Sequence, residues 1–396
     1  MEEKEIQNLF SQLSNTKVGV IGDIMLDTYW WGGVDRISPE APVPIVSLQR
    51  KELRVGGAAN VALNLASLGV PTTLFATVGK DSEGADLQAL LKKQGIHTQY
   101  IIATDTRVTT NKVRIMGRHQ QMMRLDHENT EDINTKEEDL LLANFIEYVN
   151  KEKPSLIILE DYNKGVLSKR VITTVIDYCT TQGIPTAVDP KQKNFLAYQG
   201  CTLFKPNLKE VKEGLKINIE GIDEKNLQKV HKTLKENLGH QISFITLSEH
   251  GVYYATDTKH QLIPTHIRNI ADVSGAGDTV IAVASVVYAA TQNMSLAAEI
   301  SNIAGGMVCE WVGTAPINKK DLEAYFAFIG DLRNQEIASL QKERDQLLEQ
   351  FKDMEEQRLA ITETYAKKRI DIEKKYTNYV VTEIKDSAVA AADSFD

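Results

Sequence analysis

Hydrophobic positions along the first 330 residues form short apolar runs that alternate with longer amphipathic stretches. Short apolar runs bounded by turn residues are typical of buried strands, and apolar positions repeated every third or fourth residue are typical of helices. The predicted strands are at residues 18–21, 73–77, 156–159, 186–188, 203–204 and 242–246. Predicted helices lie between them, among others at residues 58–68, 82–94, 137–150 and 168–182. This alternation predicts βαβ units and a mostly parallel sheet covered by helices on both faces, the α/β class.

Two stretches, residues 28–55 and 107–126, depart from this rhythm. Both are rich in Val, Ile, Thr, Tyr and Arg, with partial alternation of apolar and polar positions, which favours strands. We predict extra strands outside the main α/β unit, where they would form a lid or a dimer face over a ligand cleft. The alternative is a pair of edge hairpins without a functional role.

The composition changes after residue 330. Residues 331–396 contain no Gly or Pro and are crowded with Glu, Lys, Arg, Gln and Leu. Their apolar side chains recur at helical spacing, at Ile337, Leu340, Leu347, Phe351, Met354, Ile361, Tyr365 and Ile372, interrupted by Arg344, Arg358 and Lys368. The pattern predicts one long amphipathic helix with a heptad seam. We therefore divide the chain into a domain at 1–330 and a helical, coiled-coil-like tail at 331–396, which would dimerise, pack on the domain or come from a fusion.

Composition and charge exclude several classes of protein. The net charge of −9 and a pI near 5.5 argue against nucleic-acid binding, which requires a basic surface. The three cysteines are widely spaced and form no CxxC pair, so neither a disulfide framework nor a zinc site is expected. The N-terminus lacks the pattern of a signal peptide, and the longest apolar run, residues 280–290, is too short to span a membrane. We expect a soluble cytoplasmic protein that does not bind membranes.

The strongest chemical signal is the segment DVSGAGDT at residues 272–279, directly before the apolar run. Small residues allow a tight turn that points several N–H groups at one spot, and the helix after it adds its positive dipole end. This predicts an anion-binding turn. Asp278 at its edge would accept a proton from a substrate hydroxyl as a phosphoryl group arrives. The alternative is a glycine loop with an Asp helix cap.

Three further segments follow predicted strands or open predicted helices. GGAAN at residues 56–60 allows a ligand to approach the backbone closely. Asp23 and Asp27 come at and after the carboxyl end of the first strand, where ligands bind in open α/β sheets. Asn207 and Glu210 form an Asn-x-x-Glu pattern whose oxygens suit hydrated Mg²⁺ beside phosphates. Each segment alone is more often structural, but their joint occurrence in this order favours a phosphoryl-transfer site.

The order of GGAAN, Asn-x-x-Glu and DVSGAGD resembles the ribokinase-like (phosphofructokinase B) sugar kinases over about residues 15–325. Within that family, five further segments are similar to the D-glycero-β-D-manno-heptose-7-phosphate kinases of lipopolysaccharide biosynthesis. These are GDIMLD at 22–27, RISPEAPVP at 36–44, QQMMRLD at 120–126, DYNKG at 161–165 and DPK at 189–191. The resemblance implies a doubly wound α/β domain with a small β lid. It also implies transfer of the γ-phosphoryl group of ATP to the C1 hydroxyl of the heptose 7-phosphate, with Mg²⁺, a possible monovalent cation and a homodimer.

The same resemblance implies roles for particular residues. Asp278 would be the base, and the backbone of Gly275, Ala276 and Gly277 the anion hole. The sugar would face Asp23, Asp27, Gly56, Gly57 and Asn60. Cations for its phosphate would come from Lys112, Arg114, Arg124 or Lys191. The nucleotide with its Mg²⁺ would lie against Asn207, Glu210, Thr246, Ser248, Glu249, Gly251 and Asn302, with Glu210 nearest the metal.

Two features depart from the family pattern, and other functions remain open. Ser274 stands where many relatives carry Thr, and no histidine forms the His-x-Gly-His signature of the nucleotidyltransferase domain in bifunctional relatives. We therefore expect another chain to carry out adenylyl transfer. The alternatives are a kinase for fructose, ribose or another sugar phosphate, and an inactive sugar or nucleotide binder that assembles through its tail. A P-loop or Rossmann enzyme is excluded because neither GxxxxGK[ST] nor GxGxxG occurs.

Overall fold

A nine-stranded sheet forms the centre of the fold in the computed structural model. The structure describes residues 3–117, 120–265, 270–350, 352 and 354–378. Its strand order is β13-β12-β11-β10-β9-β8-β1-β4-β5. All neighbouring pairs from β5 to β11 are parallel, and only β12 and β13 add antiparallel pairs at one edge. The strands are β1 (Val18–Gly22), β4 (Thr72–Gly79), β5 (His97–Thr104), β8 (Leu156–Glu160), β9 (Thr186–Asp189), β10 (Leu203–Phe204), β11 (Ile242–Thr246), β12 (Val252–Ala255) and β13 (His260–Ile263). The predicted mostly parallel α/β sheet is confirmed.

Helices cover both faces of this sheet. Successive side chains of a strand point to opposite faces, so Val18 and Val20 of β1 enter one hydrophobic core and Ile21 enters the other. The helices are α1 (Glu3–Ser14), α2 (Ala58–Ser67), α3 (Ser82–Lys93), α4 (Thr135–Glu152), α5 (Lys169–Gln182), α6 (Leu208–Leu215), α7 (Glu224–Leu238), α8 (Ala276–Thr291) and α9 (Met294–Val308). The apolar helix predicted after the glycine turn is α8, which is buried along most of its length. No helix within the described ranges combines the length and apolar character needed to cross a membrane.

The two stretches predicted as a lid form a separate four-stranded sheet. Its order is β3-β2-β6-β7, and its strands are β2 (Ile24–Ile37), β3 (Pro44–Gly57), β6 (Asn111–Gly117) and β7 (Gln120–His127). β2 and β3 are long and pair antiparallel from Ile24 opposite Gly57 outwards. The lid strands begin and end beside β1 and α2, so this sheet stands next to the carboxyl ends of the main strands.

The direction of strand addition reverses at β1. The chain runs from β1 to β4 and β5 on one side, and then returns to β8, β9, β10 and β11 on the other. In open α/β sheets this reversal leaves a crevice at the carboxyl ends of the strands, where ligands bind. The crevice here lies between the segments after Gly22 and after Glu160.

The tail is a pair of helices, α10 (Lys319–Gln350) and α11 (Glu355–Asn378). Leu322 and Phe326, at the start of α10, are buried in the main core. Farther along, Ile372 of α11 packs against Ile329, Leu332, Ile337 and Leu340 of α10, and the Tyr365 hydroxyl donates to Glu343 over 2.6 Å. The prediction of one continuous helix is therefore wrong, because the helix ends at Gln350 and the chain folds back on itself. Residues 379–396 of the predicted tail lie outside the described residues.

Candidate active site

The glycine-rich turn before α8 adopts the backbone that its sequence predicts. Gly275 has φ 82°, in the left-handed region, and a Cβ at this position would come within 2.8 Å of Asn60 Nδ2. Asp272 holds the turn, because its Oδ1 accepts from the Ser274 backbone N–H and hydroxyl and its Oδ2 accepts from the Gly313 N–H. The backbone at Gly275, Ala276 and Gly277 thus begins a buried 16-residue helix, which directs a positive dipole end at the turn.

Asp278 lies in the first turn of α8 and is buried. Its Oδ2 accepts a hydrogen bond from Asn60 Nδ2 over 2.8 Å, and its Oδ1 accepts one from the Tyr162 hydroxyl over 2.7 Å. Burial raises the pKa of Asp278 to about 6, although both hydrogen bonds favour the charged form. The carboxylate is not a helix cap, since no side chain caps α8 at its N-terminus. A carboxyl group with a pKa near neutrality is suited to accept a proton.

Asp23 fixes the loop at residues 161–166, which carries Tyr162. Its Oδ2 accepts from the backbone N–H groups of Tyr162 and Lys164, each over 2.9 Å, and its Oδ1 accepts from Val166 N over 3.0 Å. The side chain is 1% exposed. Three backbone donors therefore occupy a carboxylate that the sequence had suggested for sugar hydroxyls.

Five charged side chains at or after the carboxyl ends of β8, β9 and β10 form a charge row, namely Glu160, Asp189, Lys191, Lys205 and Glu210. Lys205 Nζ lies 2.7 Å from Asp189 Oδ2, and Lys191 Nζ lies 2.6 Å from Glu210 Oε1. Lys205 Nζ is also 3.9 Å from the point that a Cβ on Gly277 would occupy, so a buried ammonium adjoins the glycine turn. Glu160 is fully buried, and neither of its carboxylate oxygens has a hydrogen-bond partner among the described residues.

The protonation of this row follows from burial and neighbouring charges. Burial, followed by the carboxylates of Asp189 and Asp278, raises the pKa of Glu160 well above its ordinary value. Burial lowers the pKa of Lys191, but the carboxylates of Asp189 and Glu210 outweigh it and raise the pKa overall. Burial and like charges therefore favour the neutral form of Glu160, whereas the neighbouring carboxylates favour the charged form of Lys191.

The lid contributes a second group of side chains. Asp27 on β2 is buried and forms an ion pair with Arg114 on β6, and a Cβ at Gly56 would collide with the same carboxylate. Lys112, also on β6, has its Nζ 5.5 Å from the centroid of the Tyr162 ring. Burial lowers the pKa of Lys112.

Gly57 has φ 63° and packs on the backbone at Asp23, which brings Asn60 at the start of α2 to the site. Arg124, on the edge strand β7, is exposed and paired with Asp126 over 2.8 Å.

The residues suggested for the nucleotide lie farther along the same sheet edge. Asn207 and Glu210 form a reciprocal capping box at the start of α6, and Asn207 forms a parallel bridge with Thr246 at the end of β11. The 3₁₀ turn Ser248–His250 and Gly251, with φ 88°, follow Thr246, and Glu249 in this turn is exposed. Asn302 on α9 donates to the Pro264 carbonyl over 2.8 Å, after β13. The structure thus forms one cluster around Asp278 and a second around Asn207, joined by Lys191 and Glu210.

A divalent cation at this site would need ligands in addition to the side chains of the protein. Within the described part of the chain, no group of three or more His, Cys, Asp or Glu side chains could hold a metal ion. Mg²⁺ bound with a nucleotide usually takes only one or two carboxylates, and phosphates and waters supply the rest. Glu160 and Asp189 each retain buried carboxylate oxygens without hydrogen-bond partners, so the charge row suits a cation that arrives with phosphates.

Comparison with known proteins identifies the family. The sequence profile of the pfkB family carbohydrate kinases matches residues 15–321, more than half of the chain. The chain belongs to the pfkB family. This pfkB kinase is 41% identical over 304 residues to the bifunctional protein HldE of Methylobacillus flagellatus, a match that covers 77% of this chain and 62% of the relative. It is 36% identical over 325 residues to the HldE of Geotalea uraniireducens, covering 82% and 66% respectively. The chain therefore spans less than two thirds of the length of these curated relatives.

Solved structures share the fold. Phosphofructokinase-2 from Escherichia coli in complex with potassium has a TM-score of 0.66 at 17% identity, covering 79% of this chain and 99% of the other. Ribokinase from Arabidopsis thaliana complexed with ribose and ATP has a TM-score of 0.61 at 16% identity, covering 78% and 97%. These likenesses confirm the predicted ribokinase-like fold of this pfkB kinase.

Sequence reasoning assigned no role to three residues that the structure brings to Asp278. Glu160 is the last residue of β8, Tyr162 lies two residues after it, and Lys205 directly follows β10. The rule that pointed to Asp23 and Asp27, namely that polar residues after parallel strands meet at one edge, applies to them equally. Only the folded loop shows that the Tyr162 hydroxyl points at Asp278.

Proposed function

We propose that this pfkB kinase phosphorylates the C1 hydroxyl of D-glycero-β-D-manno-heptose 7-phosphate with ATP and forms the 1,7-bisphosphate. The observation that carries the proposal is a buried carboxylate, Asp278, held by two donors at the edge of an anion-binding turn. The choice of sugar rests on the motif RISPEAPVP at 36–44 and its companions, and on the similarity to HldE proteins.

In this mechanism Asp278 accepts the proton of the acceptor hydroxyl as the phosphoryl group is transferred. The N–H groups at Gly275 and Gly277 and the ammonium of Lys205 meet the negative charge on the transferring group. The Ala276 N–H, the third donor expected from the sequence, donates to the Val273 carbonyl over 3.3 Å. Donors that are already in position when the charge develops require no reorganisation during the reaction. Gly275 allows the turn to form, and Lys205 is held at its place by Asp189.

The nucleotide would lie along the edge from Lys205 to Thr246, Ser248, Glu249 and Gly251, with Asn302 farther out. Mg²⁺ would be held on the side of Glu210, with phosphates and waters supplying its remaining oxygens. When bound, Mg²⁺ neutralises charge on the phosphates. Lys191 is the side chain that occupies Glu210 Oε1 in this structure, so it would move toward the phosphates when the metal arrives.

The sugar would lie between the lid and α2, against Asp27, Gly56, Gly57 and Asn60. Of the four cations suggested for its 7-phosphate, Arg114 is paired with Asp27, Lys191 with Glu210 and Arg124 with Asp126. No carboxylate among the described residues forms an ion pair with Lys112, so we propose Lys112 as the main phosphate ligand. Asp23 would act indirectly, by fixing the loop at 161–166.

Asp278→Asn should lower turnover by about 10²–10⁴-fold with ATP binding retained, because the variant keeps the shape but cannot accept a proton. In the wild type, the base must be deprotonated and its pKa is about 6, so kcat/KM should fall as the pH decreases below that value. Steady-state kinetics from pH 5 to 8 test both statements. Near-normal turnover of the variant would remove Asp278 from the role.

Heptose 7-phosphate should be preferred to fructose 6-phosphate and ribose in an ATP-consumption assay. Lys112→Gln should raise KM for the heptose 7-phosphate about tenfold or more, because it removes a cation from a partly desolvated phosphate site. Lys193→Gln is the matched control, since Lys193 is an exposed lysine paired with Asp132. A preference for fructose 6-phosphate or ribose would replace the heptose assignment with the alternative sugar kinase. Lack of turnover with every acceptor would favour an inactive binder.

Glu210→Gln should raise the Mg²⁺ concentration needed for half-maximal rate several-fold, because the metal would lose a charged oxygen. Glu213→Gln on the same helix is the control, since that side chain is exposed and pairs with Lys209 on the surface. Titration of activity with Mg²⁺ at fixed ATP separates the two. Equal Mg²⁺ dependence of both variants would remove Glu210 from the surroundings of the metal.

We propose a homodimer built through the lid, with 1–330 as the catalytic unit and 331–396 as a dispensable tail. Apolar side chains on three of the lid strands are exposed, at Ile37, Leu48, Met123 and Leu125. Residue 330 lies within α10, and the core-packed Leu322 and Phe326 precede it. Deleting 331–396 should therefore leave turnover and the dimeric state unchanged, whereas Met123→Glu combined with Leu125→Glu should give monomers. Light scattering measures the oligomeric state, and steady-state kinetics measure turnover. A truncated protein that is folded but monomeric, or folded but inactive, would refute this division of the chain.

A further inference from the structure

We infer that Tyr162 is a positioning residue, whose hydroxyl orients Asp278 and whose ring holds Lys112 and Lys191 beside that carboxylate. The inference rests on the proposed function, because it assigns the support of the base that the reaction requires. Tyr162 contacts Asp278 through its hydroxyl and both lysines through its ring.

The hydroxyl determines the orientation of the carboxylate. Asn60 donates to Oδ2 and Tyr162 donates to Oδ1, so each oxygen of Asp278 has one donor. With either donor removed, the carboxylate can rotate about its terminal bond, which has only broad intrinsic preferences. Burial and the charge of Asp278 raise the pKa of Tyr162 well above its ordinary value, so its hydroxyl remains a donor throughout the working pH range.

The ring brings together cations from two separate elements. Lys112 comes from the lid strand β6 and Lys191 from the segment after β9, and their Nζ atoms lie 5.5 and 5.2 Å from the ring centroid. Ammonium groups within about 6 Å of an aromatic ring are attracted to its negative face. Tyr162 therefore connects the lid, the charge row and the base through one side chain.

The loop around Tyr162 is fixed by its own contacts. Asp23 accepts three of its backbone N–H groups, and Asp161 accepts from Asn163 N and from the Tyr198 hydroxyl, each over 2.7 Å. Gly165 has φ 91° and packs so closely on the Glu131 backbone that no side chain fits there. A loop held at so many points keeps the tyrosine in place without help from a substrate.

Other charged groups also lie near Asp278, so a variant that tests Tyr162 must leave them unchanged. They are Glu160 at the end of β8, Asp189 at the end of β9, Lys191 two residues later, and Lys205 after β10, with Lys112 facing Tyr162 from the lid. Tyr162→Phe leaves all of them in place and removes one hydroxyl. The difference between wild type and this variant therefore reports the hydroxyl alone.

The first test is the titration of the Asp278 carboxyl in the full-length protein without substrate, by infrared difference spectra against Asp278→Asn. Tyr162→Phe should shift this titration upward by about half to one pH unit, because a hydrogen bond that favours the charged form is lost. In assays with whichever acceptor is turned over, the acidic limb of kcat should move in the same direction. We expect kcat to fall about tenfold, while KM for the acceptor changes by less than about twofold.

Two more variants separate positioning from general damage. Tyr162→Leu also removes the ring, so it should raise KM for a phosphorylated acceptor in addition to the effects of Tyr162→Phe. Tyr198→Phe removes a similar buried hydroxyl–carboxylate bond, to Asp161, and should leave the Asp278 titration unchanged even if stability falls. An unchanged titration in Tyr162→Phe, or an equal shift in Tyr198→Phe, would overturn the inference. Failure of every acceptor would refute the proposed function, while the infrared measurement would still decide the role of Tyr162.

Discussion

The burial of Asp278 at the first turn of α8 is the constraint on which the rest of the site depends. Burying a charged carboxylate costs free energy that hydrogen-bond donors offset, and here Asn60 and Tyr162 supply them from two separate segments. Those segments must therefore be fixed relative to α8. Asn64 fixes the first, since its amide donates to the Asn60 carbonyl and its Oδ1 accepts from Thr279 of α8 and from Ile317 N. Asp23 fixes the second through the backbone of the loop at 161–166.

Hydrogen bonds also connect the lid to the glycine turn before α8. Arg54 on β3 donates to the carbonyls of Val312 and Thr314, and Gly313 between them donates to Asp272 at the glycine turn. The Arg54 and Arg114 guanidinium groups lie against the Tyr29 ring, 4.9 and 5.1 Å from its centroid. The lid and the glycine turn before α8 are therefore connected by hydrogen bonds through residues 312–314.

The sequence predicted the glycine turn, the six apolar strands and the lid because each rests on a local pattern. Gly275 needs a left-handed backbone, and buried parallel strands need uninterrupted apolar runs. It did not predict β5 or β13, which are partly polar because they lie at the two edges of the sheet. It also did not predict β12, a buried strand of only four residues. The break between α10 and α11 was also missed, because a seam of apolar positions is compatible with one long helix or with two that fold back. Tyr162 was missed because its partner is 116 residues away along the chain.

Asn207 and Glu210 show why local pattern alone did not decide between structure and chemistry. A helix start needs an acceptor at its cap and benefits from a carboxylate three residues later, and both conditions are met here reciprocally over 2.8 Å. The same carboxylate receives Lys191 at its other oxygen. A carboxylate has about four lone-pair sites, so capping and the lysine leave room for a further ligand. Capping holds Glu210 in one orientation beside Lys191, so its structural role is compatible with the role proposed for it beside a metal-bound nucleotide.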